Sequence, residues 1–554
     1  GSAGESGGGA GGSGGGPGGD GGSAGSGGDG GSGGGTGGSG GTGGAGGAGP
    51  VGCGSVPEEG ICYGSSIVRT CIASPARPDG WVVDRECSPW ELCVADPAGA
   101  YCANRTTTCR PGASECLTQT SMQECGTNGT WTTSSCNACR QTPFGAMCEP
   151  AFATRTFDGI LGFEYRQANA SLTDWTSPVS EAAAAGLLVT SYRSGTLVDS
   201  SIVQEDGSFS VLIPSPPTSN DTIEFYTVAF TNQGADIALG VADPGLEPGL
   251  VPTNWISASD ASYWRWTLGA TQPSGRTWII GESNWSAAVL QFQYARSIRN
   301  LAVAQQGRRG GPFIVWSAPD VDFDCGACFW SVPFVLLGQE YDSQVFISGG
   351  TDDMAYWSAA VFLHEMGHWN MHAYGTSPAE GGRHCLGVPA LPGLAWSEGW
   401  ATFYSSDARN DPTYFDKSDG TFWWIDIDSR RHWGVTPFDP PTSNGGMLQR
   451  IDEAWVAGAL WDLSRDPTIP ANLNHVALGS PRMNGPPYAR GYTTKSWDVD
   501  SQCRPVNVID TGVPAPMLAD FLDALRCEGA PAAAVTGAVT PYPYPVNAPI
   551  CAAP

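Results

Sequence analysis

Alternating apolar and polar residues dominate the chain between about 155 and 245. Four segments show the pattern most clearly, each bounded by Gly, Asp, Asn, Ser or Pro: FDGILGFEYRQ, AGLLVTSYRS, EDGSFSVLIPSP and TIEFYTVAFTN. A period of two residues is that of a strand with one buried face, and several such strands in succession favour two packed sheets. We therefore predict a β-sandwich over residues 155–245.

After residue 250 the apolar spacing changes to that of helices mixed with short strands. Helices are predicted over about 285–305, 351–373 and 447–466, because apolar residues recur there every three or four positions. Short strands are predicted at PFIVW (312–316), VPFVLL (332–337) and QVFIS (344–348). This order predicts an α+β domain over residues 250–554.

Residues 1–50 carry no such pattern. They consist almost entirely of Gly with Ser, Ala and Thr, so they bury too little surface to offset the entropy lost on ordering. We expect a disordered tether with a reach of roughly 40 Å. It resembles the spacer that follows the lipidated cysteine of bacterial surface lipoproteins, and the chain begins with Gly1 rather than Met. We therefore expect that a targeting segment has been removed, and we hypothesise that the chain carries a lipid anchor.

Twelve of the 18 cysteines lie between residues 53 and 148. Their spacings repeat, which predicts two six-cysteine modules at 53–102 and 109–148 within residues 51–150. The region has no histidine, so disulfides are favoured over zinc, although the spacing does not choose among the pairings. Such modules either bind a cell-surface polymer or act as spacers. A further CxxC pair, Cys325 and Cys328, also predicts a disulfide.

The composition limits both partners and location. A formal charge of −27 opposes binding to nucleic acid or to an anionic membrane. The chain contains no run of eighteen apolar residues, so no transmembrane helix is predicted. The cysteine content favours an oxidising compartment, so we expect a secreted or cell-surface protein.

The candidate chemistry lies in the helix predicted over 351–373, where His364, Glu365 and His368 belong to the sequence H-E-M-G-H. Histidines four residues apart lie on one face of a helix, where they can share one metal ion. Glu365 lies beside that face, so it can act as a general base without being a ligand. The motif predicts a zinc peptidase site with His364 and His368 as two of its ligands.

This helix, following a helix and a small sheet, resembles the zincin superfamily over about 280–465. The resemblance implies a third ligand. The metzincin pattern fails, because Met371 and Tyr374 stand where glycine and histidine are needed. The gluzincin pattern, in which a glutamate of a second helix completes the site, fits LAWSEGWATFYS and implies Glu398. His372, His384 and Glu380 are the alternatives.

The gluzincin resemblance also implies a donor for the tetrahedral oxyanion, usually a His or Tyr nearer the C-terminus. His475 and Tyr492 are the preferred candidates, and Tyr404 and His432 are the others. Asp452 or Glu453 is a candidate for orienting a ligand histidine. The segment DGSFSVLIP resembles transthyretin-like or carboxypeptidase-regulatory sandwiches, which often accompany secreted enzymes.

Taken together, these features predict a multidomain protein with an α+β zincin catalytic domain. The function expected is Zn²⁺-dependent hydrolysis of protein or peptide substrates. An endopeptidase is favoured because the G-x-M-E-N strand of aminopeptidase gluzincins is absent, the matching stretch reading ISGGTDDM. The alternative is a surface adhesin whose zincin fold is vestigial.

Overall fold

The computed structural model describes most of the chain from residue 60 to residue 539. The described residues are 60–63, 67–74, 77–86, 91–96, 99–104, 109, 113–126, 128–142, 145–176, 180–230, 237–251, 253, 256–306, 310–318, 320–323, 325–350, 354–378, 384, 390, 392–418, 420–432, 436–437, 452–480, 482–483, 495–499, 505–510 and 516–539. The predicted tether, residues 1–50, lies outside them.

The cysteine-rich region folds into small antiparallel sheets joined by disulfides. Its strands are β1 (Ile61–Tyr63), β2 (Ile67–Ser74), β3 (Arg77–Glu86), β4 (Glu91–Asp96), β5 (Gly99–Asn104), β6 (Ser114–Thr118), β7 (Ser121–Cys125), β8 (Trp131–Ser135), β9 (Cys139–Thr142) and β10 (Gly145–Cys148). The disulfides are Cys62–Cys93, Cys109–Cys125, Cys116–Cys139 and Cys136–Cys148. Cys62–Cys93 and Cys116–Cys139 both join the second and fifth cysteine of a module. The prediction of disulfides is confirmed, and the shared pairing agrees with a repeat.

The predicted sandwich is present as two four-stranded sheets. The strands of this part of the chain are β11 (Thr154–Tyr165), β12 (Ser180–Ala183), β13 (Leu188–Arg193), β14 (Thr196–Ile202), β15 (Ser208–Pro214), β16 (Asp221–Tyr226), β17 (Val228–Phe230), β18 (Ile237–Asp243), β19 (Gly249–Val251), β20 (Ser262–Tyr263), β21 (Arg265–Gly269) and β22 (Arg276–Ile280). One sheet has the order β12-β11-β15 with β22 beside β11, and the other has the order β14-β13-β16-β21. Alternate side chains, such as Ile223 and Phe225, are fully buried, as the period of two predicts.

A six-stranded mixed sheet follows. The strands that come next in the chain are β23 (Phe313–Ser317), β24 (Val321–Phe323), β25 (Cys328–Trp330), β26 (Phe334–Leu336), β27 (Gln339–Tyr341) and β28 (Ser343–Ile347). The sheet has the order β17-β18-β23-β28-β25, with β20 beside β18. Strands β18, β23 and β28 are parallel, whereas β25 is antiparallel to β28 and forms one edge. Every residue of β23 and β28 is buried, because both faces of the sheet are covered.

The strands of these sheets are interleaved along the chain. Strand β18 lies within the segment expected to form the sandwich, yet it pairs with β23 in the mixed sheet. Strands β21 and β22 lie after residue 250, yet they pair with β16 and β11 in the sandwich. Alternation along a strand predicts which face is buried and says nothing about the neighbouring strand. A boundary near 245–250 therefore does not separate the two sets of strands.

The helices pack on the mixed sheet and on one another. They are α1 (Asn284–Gln306), α2 (Ala359–Tyr374), α3 (Pro392–Arg409), α4 (Glu453–Arg465), α5 (Leu473–Leu478), α6 (Leu518–Cys527) and α7 (Ala532–Ala538), and the remaining strands are β29 (Thr413–Ser418), β30 (Thr421–Asp426), β31 (Arg431–His432), β32 (Thr436–Pro437), β33 (Lys495–Val499) and β34 (Pro505–Asp510). One hydrophobic core extends from Phe157 in the sandwich to Val539 after α7. No helix among the described residues is long and apolar enough to cross a membrane.

Helix α2 begins later than its apolar spacing predicts. The predicted start at residue 351 is wrong, because the helix starts at Ala359 after a 3₁₀ turn at Ala355–Trp357. Ser358 is the N-cap: its backbone is extended and its Oγ accepts a hydrogen bond from the Val361 N–H at 3.2 Å. Thr351 and Asp352, whose residue types also suit an N-cap, lie outside the described residues.

Helix α3 packs closely against both α2 and α4. A Cβ atom added to Gly367 of α2 would lie 2.6 Å from Ala401 Cα of α3. One added to Gly399 of α3 would lie 2.5 Å from the Val456 side chain of α4. Each glycine permits a helix spacing that a larger residue would prevent. Helix α3 is therefore held between two neighbours at short range.

Candidate metal centre

The two histidines of H-E-M-G-H lie one turn apart on α2. The Nε2 atoms of His364 and His368 are 3.3 Å apart, and their ring centroids are separated by 4.9 Å. The residues around them, including Leu363, Met366 and Trp369, are buried in the core and fix this part of the helix. The sequence spacing therefore produces the convergence that it predicts.

Glu398 of α3 reaches the same point. Its Oε2 lies 3.0 Å from His364 Nε2 and 3.3 Å from His368 Nε2. The close contact of Gly367 with Ala401 brings α3 near enough for this short carboxylate to reach across. Burial raises the pKa of Glu398, but His368, His384 and His364 outweigh it and lower the pKa well below its ordinary value. The carboxylate is thus ionised.

The geometry of these three side chains fits a tetrahedral metal ion. Zinc binds histidine nitrogen at about 2.0–2.1 Å, so two ligand atoms of a tetrahedral site are roughly 3.3 Å apart. The observed separations of 3.0, 3.3 and 3.3 Å match this value. His364, His368 and Glu398 are accordingly one of two groups among the described residues that could hold a metal ion.

Each of the two imidazole rings contacts one hydroxyl group of α3 through its Nδ1 atom, the ring nitrogen that does not face Glu398. His368 Nδ1 lies 3.0 Å from Ser397 Oγ, and His364 Nδ1 lies 3.2 Å from Thr402 Oγ1. When Nδ1–H donates to the hydroxyl, Nε2 carries the lone pair and faces Glu398. The three converging atoms are then all electron-pair donors, an arrangement that repels itself unless a cation lies between them.

Glu365, the second residue of H-E-M-G-H, is not part of this group. Its side chain is buried, with 5 % of the residue exposed. Burial raises the pKa of the Glu365 carboxyl, and the charge of Glu398 adds to this, whereas His364 and His368 act in the opposite direction. A carboxyl group with a raised pKa beside a metal site suits proton transfer near neutral pH.

His384 lies beside the cluster and forms a pair with Glu453. Its Nδ1 is 2.7 Å from Glu453 Oε2, and its Nε2 is 3.8 Å from Glu398 Oε2. Burial lowers the pKa of His384, but Glu453 and Glu398 outweigh it and raise the pKa to about 10. His384, Glu398 and Glu453 form the second group that could hold a metal. The His384 side chain is 37 % exposed, so its ring is accessible to a ligand.

Tyr414 of β29 packs against the ring of His364. The two ring centroids are 5.5 Å apart, and Tyr414 is 8 % exposed. Burial, reinforced by Asp416 and Glu365, raises the pKa of the phenol well above its ordinary value, so it stays protonated. Its neighbours Thr413 and Phe415 point to the opposite face of the strand, where they line a cavity of about 380 Å³ with Trp357. That cavity is separate from the histidine cluster.

The structure does not bring His475 to the cluster. His475 lies on α5, 1 % exposed, with its Nε2 3.4 Å from Asp407 Oδ2. It packs edge-on against Trp400 and Tyr404, which lie about 200° and about 240° around α3 from Glu398. His475 and Tyr404 therefore occupy the side of α3 that faces away from the histidine pair.

The other candidates have different positions. His372 packs beside Phe329, with ring centroids 5.6 Å apart, and does not join either group that could hold a metal. His432 lies on β31. Asp452 caps α4 by accepting a hydrogen bond from the Ala454 N–H at 2.9 Å. Tyr492 and Glu380 lie outside the described residues.

The sequence did not predict three contacts of the site. Two are those of Ser397 and Thr402 with the histidine rings, and the third is that of His384 with Glu453. Thr402 stands four residues after Glu398, on the same face of α3, whereas Ser397 stands one residue before it, about 100° around the helix. The spacing of Thr402 is a usable signal once Glu398 is chosen, and that of Ser397 is not. His384 stands in a segment rich in Gly and Pro, where no periodic pattern predicts a partner.

Residues 334–477 match the family model of the Mycolysin C-terminal domain. The match covers about a quarter of the chain and includes α2, α3 and α4, with the histidine pair, Glu398 and Glu453. It supports a metallopeptidase-like protein, and together with the disulfides it fits an extracellular location. No curated protein matches the chain.

Proposed function

We propose that the chain is a zinc-dependent endopeptidase that acts on protein substrates outside the cell. The observation that carries the proposal is the convergence of His364 Nε2, His368 Nε2 and Glu398 Oε2 at the spacing of a tetrahedral zinc site. The match to a Mycolysin domain over the same helices supports it. His364, His368 and Glu398 are proposed as the metal ligands.

Bound zinc would polarise the scissile carbonyl and make a water molecule acidic enough to attack near neutral pH. The Glu365 carboxylate is proposed to take the proton of the attacking water and to pass it to the nitrogen of the leaving amine. One C–N bond is broken and one C–O bond is formed, and the proton released by water completes the new amine. Ser397 and Thr402 keep the histidine rings in the orientation that binding requires.

His384 is proposed as the donor to the oxygen that becomes negative during attack. Its Nε2 lies at the edge of the cluster, and Glu453 holds the opposite ring nitrogen. This is the arrangement of an imidazolium positioned to stabilise an oxyanion. We assign the role to His384 instead of His475, because His475 lies on the far side of α3.

The edge of the mixed sheet offers a place for the substrate backbone. Strand β25 ends the sheet order, so one of its edges lacks a strand partner among the described residues. Phe329 in this strand lies against His368, with ring centroids 6.4 Å apart. An extended peptide paired with β25 would therefore pass the histidine cluster, which suits cleavage within a chain.

The proposal is tested with the full chain on casein and by zinc analysis. We expect zinc near one per chain and cleavage that a chelator abolishes. Glu365→Gln should keep its zinc and its fold and lose about 10²–10⁴-fold in kcat. His368→Gln should lose zinc, whereas His372→Gln, one turn further along the same helix, should retain it. A zinc-loaded Glu365→Gln variant that cleaves as fast as wild type would refute the mechanism, and a wild-type chain without cleavage would favour the adhesin.

A further inference from the structure

The disulfide between Cys325 and Cys328 differs from the others in the size of its loop. The two cysteines are 3 positions apart, which confirms the disulfide predicted for this CxxC pair. Those of the other described disulfides are 12 to 31 positions apart. In the chain-entropy model, a loop as short as that of Cys325 and Cys328 changes the folding equilibrium by roughly 20-fold, whereas the 23-position separation of Cys116 and Cys139 changes it by roughly 300-fold. Stabilisation of the whole fold therefore gives little reason for the shorter one.

One of these two cysteines is accessible to a thiol in solution. Cys325 is exposed, whereas the other cysteines of the described disulfides are buried or half-buried. It lies in a turn in which the Gly326 N–H donates a hydrogen bond to the Phe323 carbonyl at 2.9 Å. A thiolate must reach a sulfur atom to exchange with a disulfide, and exposed disulfides are the ones most easily reduced. Cys325 is therefore the point of attack, and the half-buried Cys328 is the leaving group.

The disulfide lies at the start of the strand that passes the histidine pair. Cys328 is the first residue of β25, which pairs only with β28 among the described residues. Ala327 and Phe329 pack against the core that contains α2, whereas Cys328 and Trp330 pack against the core on the opposite face of the sheet. The ring centroid of Phe329 lies 6.4 Å from that of His368. The conformation of this segment therefore affects the side of the sheet on which the proposed metal ligands lie.

Reduction would release one end of this short strand. The far end is fixed by Trp330, which packs against Phe346 with ring centroids 5.1 Å apart. Just beyond it, Gln344 donates a hydrogen bond to the Val332 carbonyl at 2.9 Å. The end at Cys328 is attached through the disulfide, and without it we expect that end to open roughly 20-fold more often, the factor that the loop size gives. Because a substrate is proposed to pair with β25, frequent opening would weaken its binding.

We propose that Cys325 and Cys328 form a thiol-exchange site through which a dithiol lowers the peptidase activity. The inference rests on the proposed function, in which the substrate pairs with β25. One thiolate of the dithiol bonds to Cys325 Sγ, the Cys325–Cys328 bond breaks, and Cys328 leaves as a thiolate. The second thiol then displaces Cys325, so the dithiol is oxidised to its own disulfide and its two protons pass to the two cysteines. The enzyme is thus most active in an oxidising compartment and weaker where dithiols prevail.

The first measurement does not depend on catalysis. The full, zinc-loaded chain is equilibrated with a series of ratios of reduced to oxidised dithiothreitol, free thiols are alkylated, and the reduction of each disulfide is followed by mass spectrometry. We expect Cys325–Cys328 to be half reduced at a ratio about tenfold lower than that for Cys116–Cys139. Hydrogen exchange in residues 325–331 should become about 10–20-fold faster when the shorter disulfide is reduced. Equal ratios for the two disulfides, or unchanged exchange, would contradict the proposal.

The second measurement links the disulfide to cleavage of an internally quenched peptide. The double variant Cys325→Ser, Cys328→Ser should keep zinc near one per chain and lose about three- to tenfold in kcat/KM, chiefly through KM, because the strand that pairs with substrate is ordered less often. Wild type should lose the same factor on mild reduction and regain it on reoxidation. Dithiols also bind zinc, so the double variant is the control: the same treatment should leave its activity unchanged. Cys136→Ser, Cys148→Ser, which removes a disulfide of the cysteine-rich region, should respond as wild type does.

The outcomes separate the two proposals. A Cys325→Ser, Cys328→Ser variant with wild-type kcat/KM, or one that dithiol inhibits as strongly as wild type, would overturn the regulation while the peptidase stands. Loss of zinc from that variant would also overturn it, because the disulfide would then support the metal site instead of the strand. Absence of any zinc-dependent cleavage by wild type would overturn the peptidase, and the regulation with it, even if Cys325–Cys328 is reduced at the expected ratio.

Discussion

Three buried hydroxyls on α3 offer a sharp test of the metal centre. Thr402 and Ser397 contact the Nδ1 atoms of His364 and His368, whereas Ser405 donates to the Ala360 carbonyl at 2.7 Å. All three join α3 to α2, and all are at most 6 % exposed. Only two of them act on a proposed ligand. Substitutions that remove each hydroxyl should therefore separate effects on the metal from effects on the fold.

Thr402→Val and Ser397→Ala should each weaken zinc binding by about 10–100-fold, which corresponds to roughly 1.4–2.7 kcal/mol. Without the hydroxyl, the Nδ1–H loses its acceptor, so the ring can change tautomer or rotate in the metal-free protein. Binding must then pay the cost of fixing the ring again. Ser405→Ala loses a hydrogen bond of similar burial, about 0.5–1.5 kcal/mol of net stability, and leaves both rings held.

The assay is competition for zinc with a chelator of known affinity, together with thermal unfolding of the metal-free proteins. We expect the zinc Kd to rise for Thr402→Val and Ser397→Ala and to change less than threefold for Ser405→Ala. The unfolding temperatures of the three metal-free variants should be similar. Equal zinc affinity in all three, or an equal loss in all three, would refute the assignment of Ser397 and Thr402.

Three other predictions follow from the same geometry. His384→Gln should keep its zinc and lose about 10²–10³-fold in kcat, measured with a peptide substrate, because it removes the proposed donor to the oxyanion; an unchanged kcat would exclude that role. Gly367→Ala should cost about 1–3 kcal/mol or more in unfolding free energy, since its Cβ would lie 2.6 Å from Ala401 Cα, whereas Gly537→Ala meets nothing within 4 Å and serves as the control. Zinc affinity should fall as the pH falls, because Glu398 overcomes the effect of burial and raises the pKa of His368 in the metal-free chain, so protons compete with the metal from a higher pH; a pH-independent Kd between pH 6 and pH 8 would contradict this.

Strongly periodic elements were predictable from the sequence. Helix α1, expected at 285–305, spans Asn284–Gln306, and the segment around Glu398 lies in the helix Pro392–Arg409. The start of α2 was not predictable, because Ser358 caps the helix within an apolar segment that has helical spacing throughout. Local periodicity reports burial, whereas a cap depends on the conformation of one residue.

The sequence predicts only those parts of the candidate site whose residues are spaced along a single helix. His364 and His368 follow from i, i+4 geometry, and their meeting with Glu398 agrees with the resemblance to gluzincins. The position of His384 depends on how a loop returns to the cluster, and that of His475 depends on which face of α3 meets α5. Both are properties of tertiary packing that no short sequence window contains. Polymer binding by the cysteine-rich modules and a lipid anchor stay predictions.

The interleaved strands restrict how this protein can have evolved. Strand β18 pairs with β23 in the mixed sheet, although it precedes β21 and β22, which complete the sandwich. A recombination event that exchanged residues 155–245 for another sandwich would remove an interior strand from the sheet that supports α2. The sandwich can therefore not be shuffled between genes as a cassette, and it must be inherited as one unit with the part of the chain that carries α2.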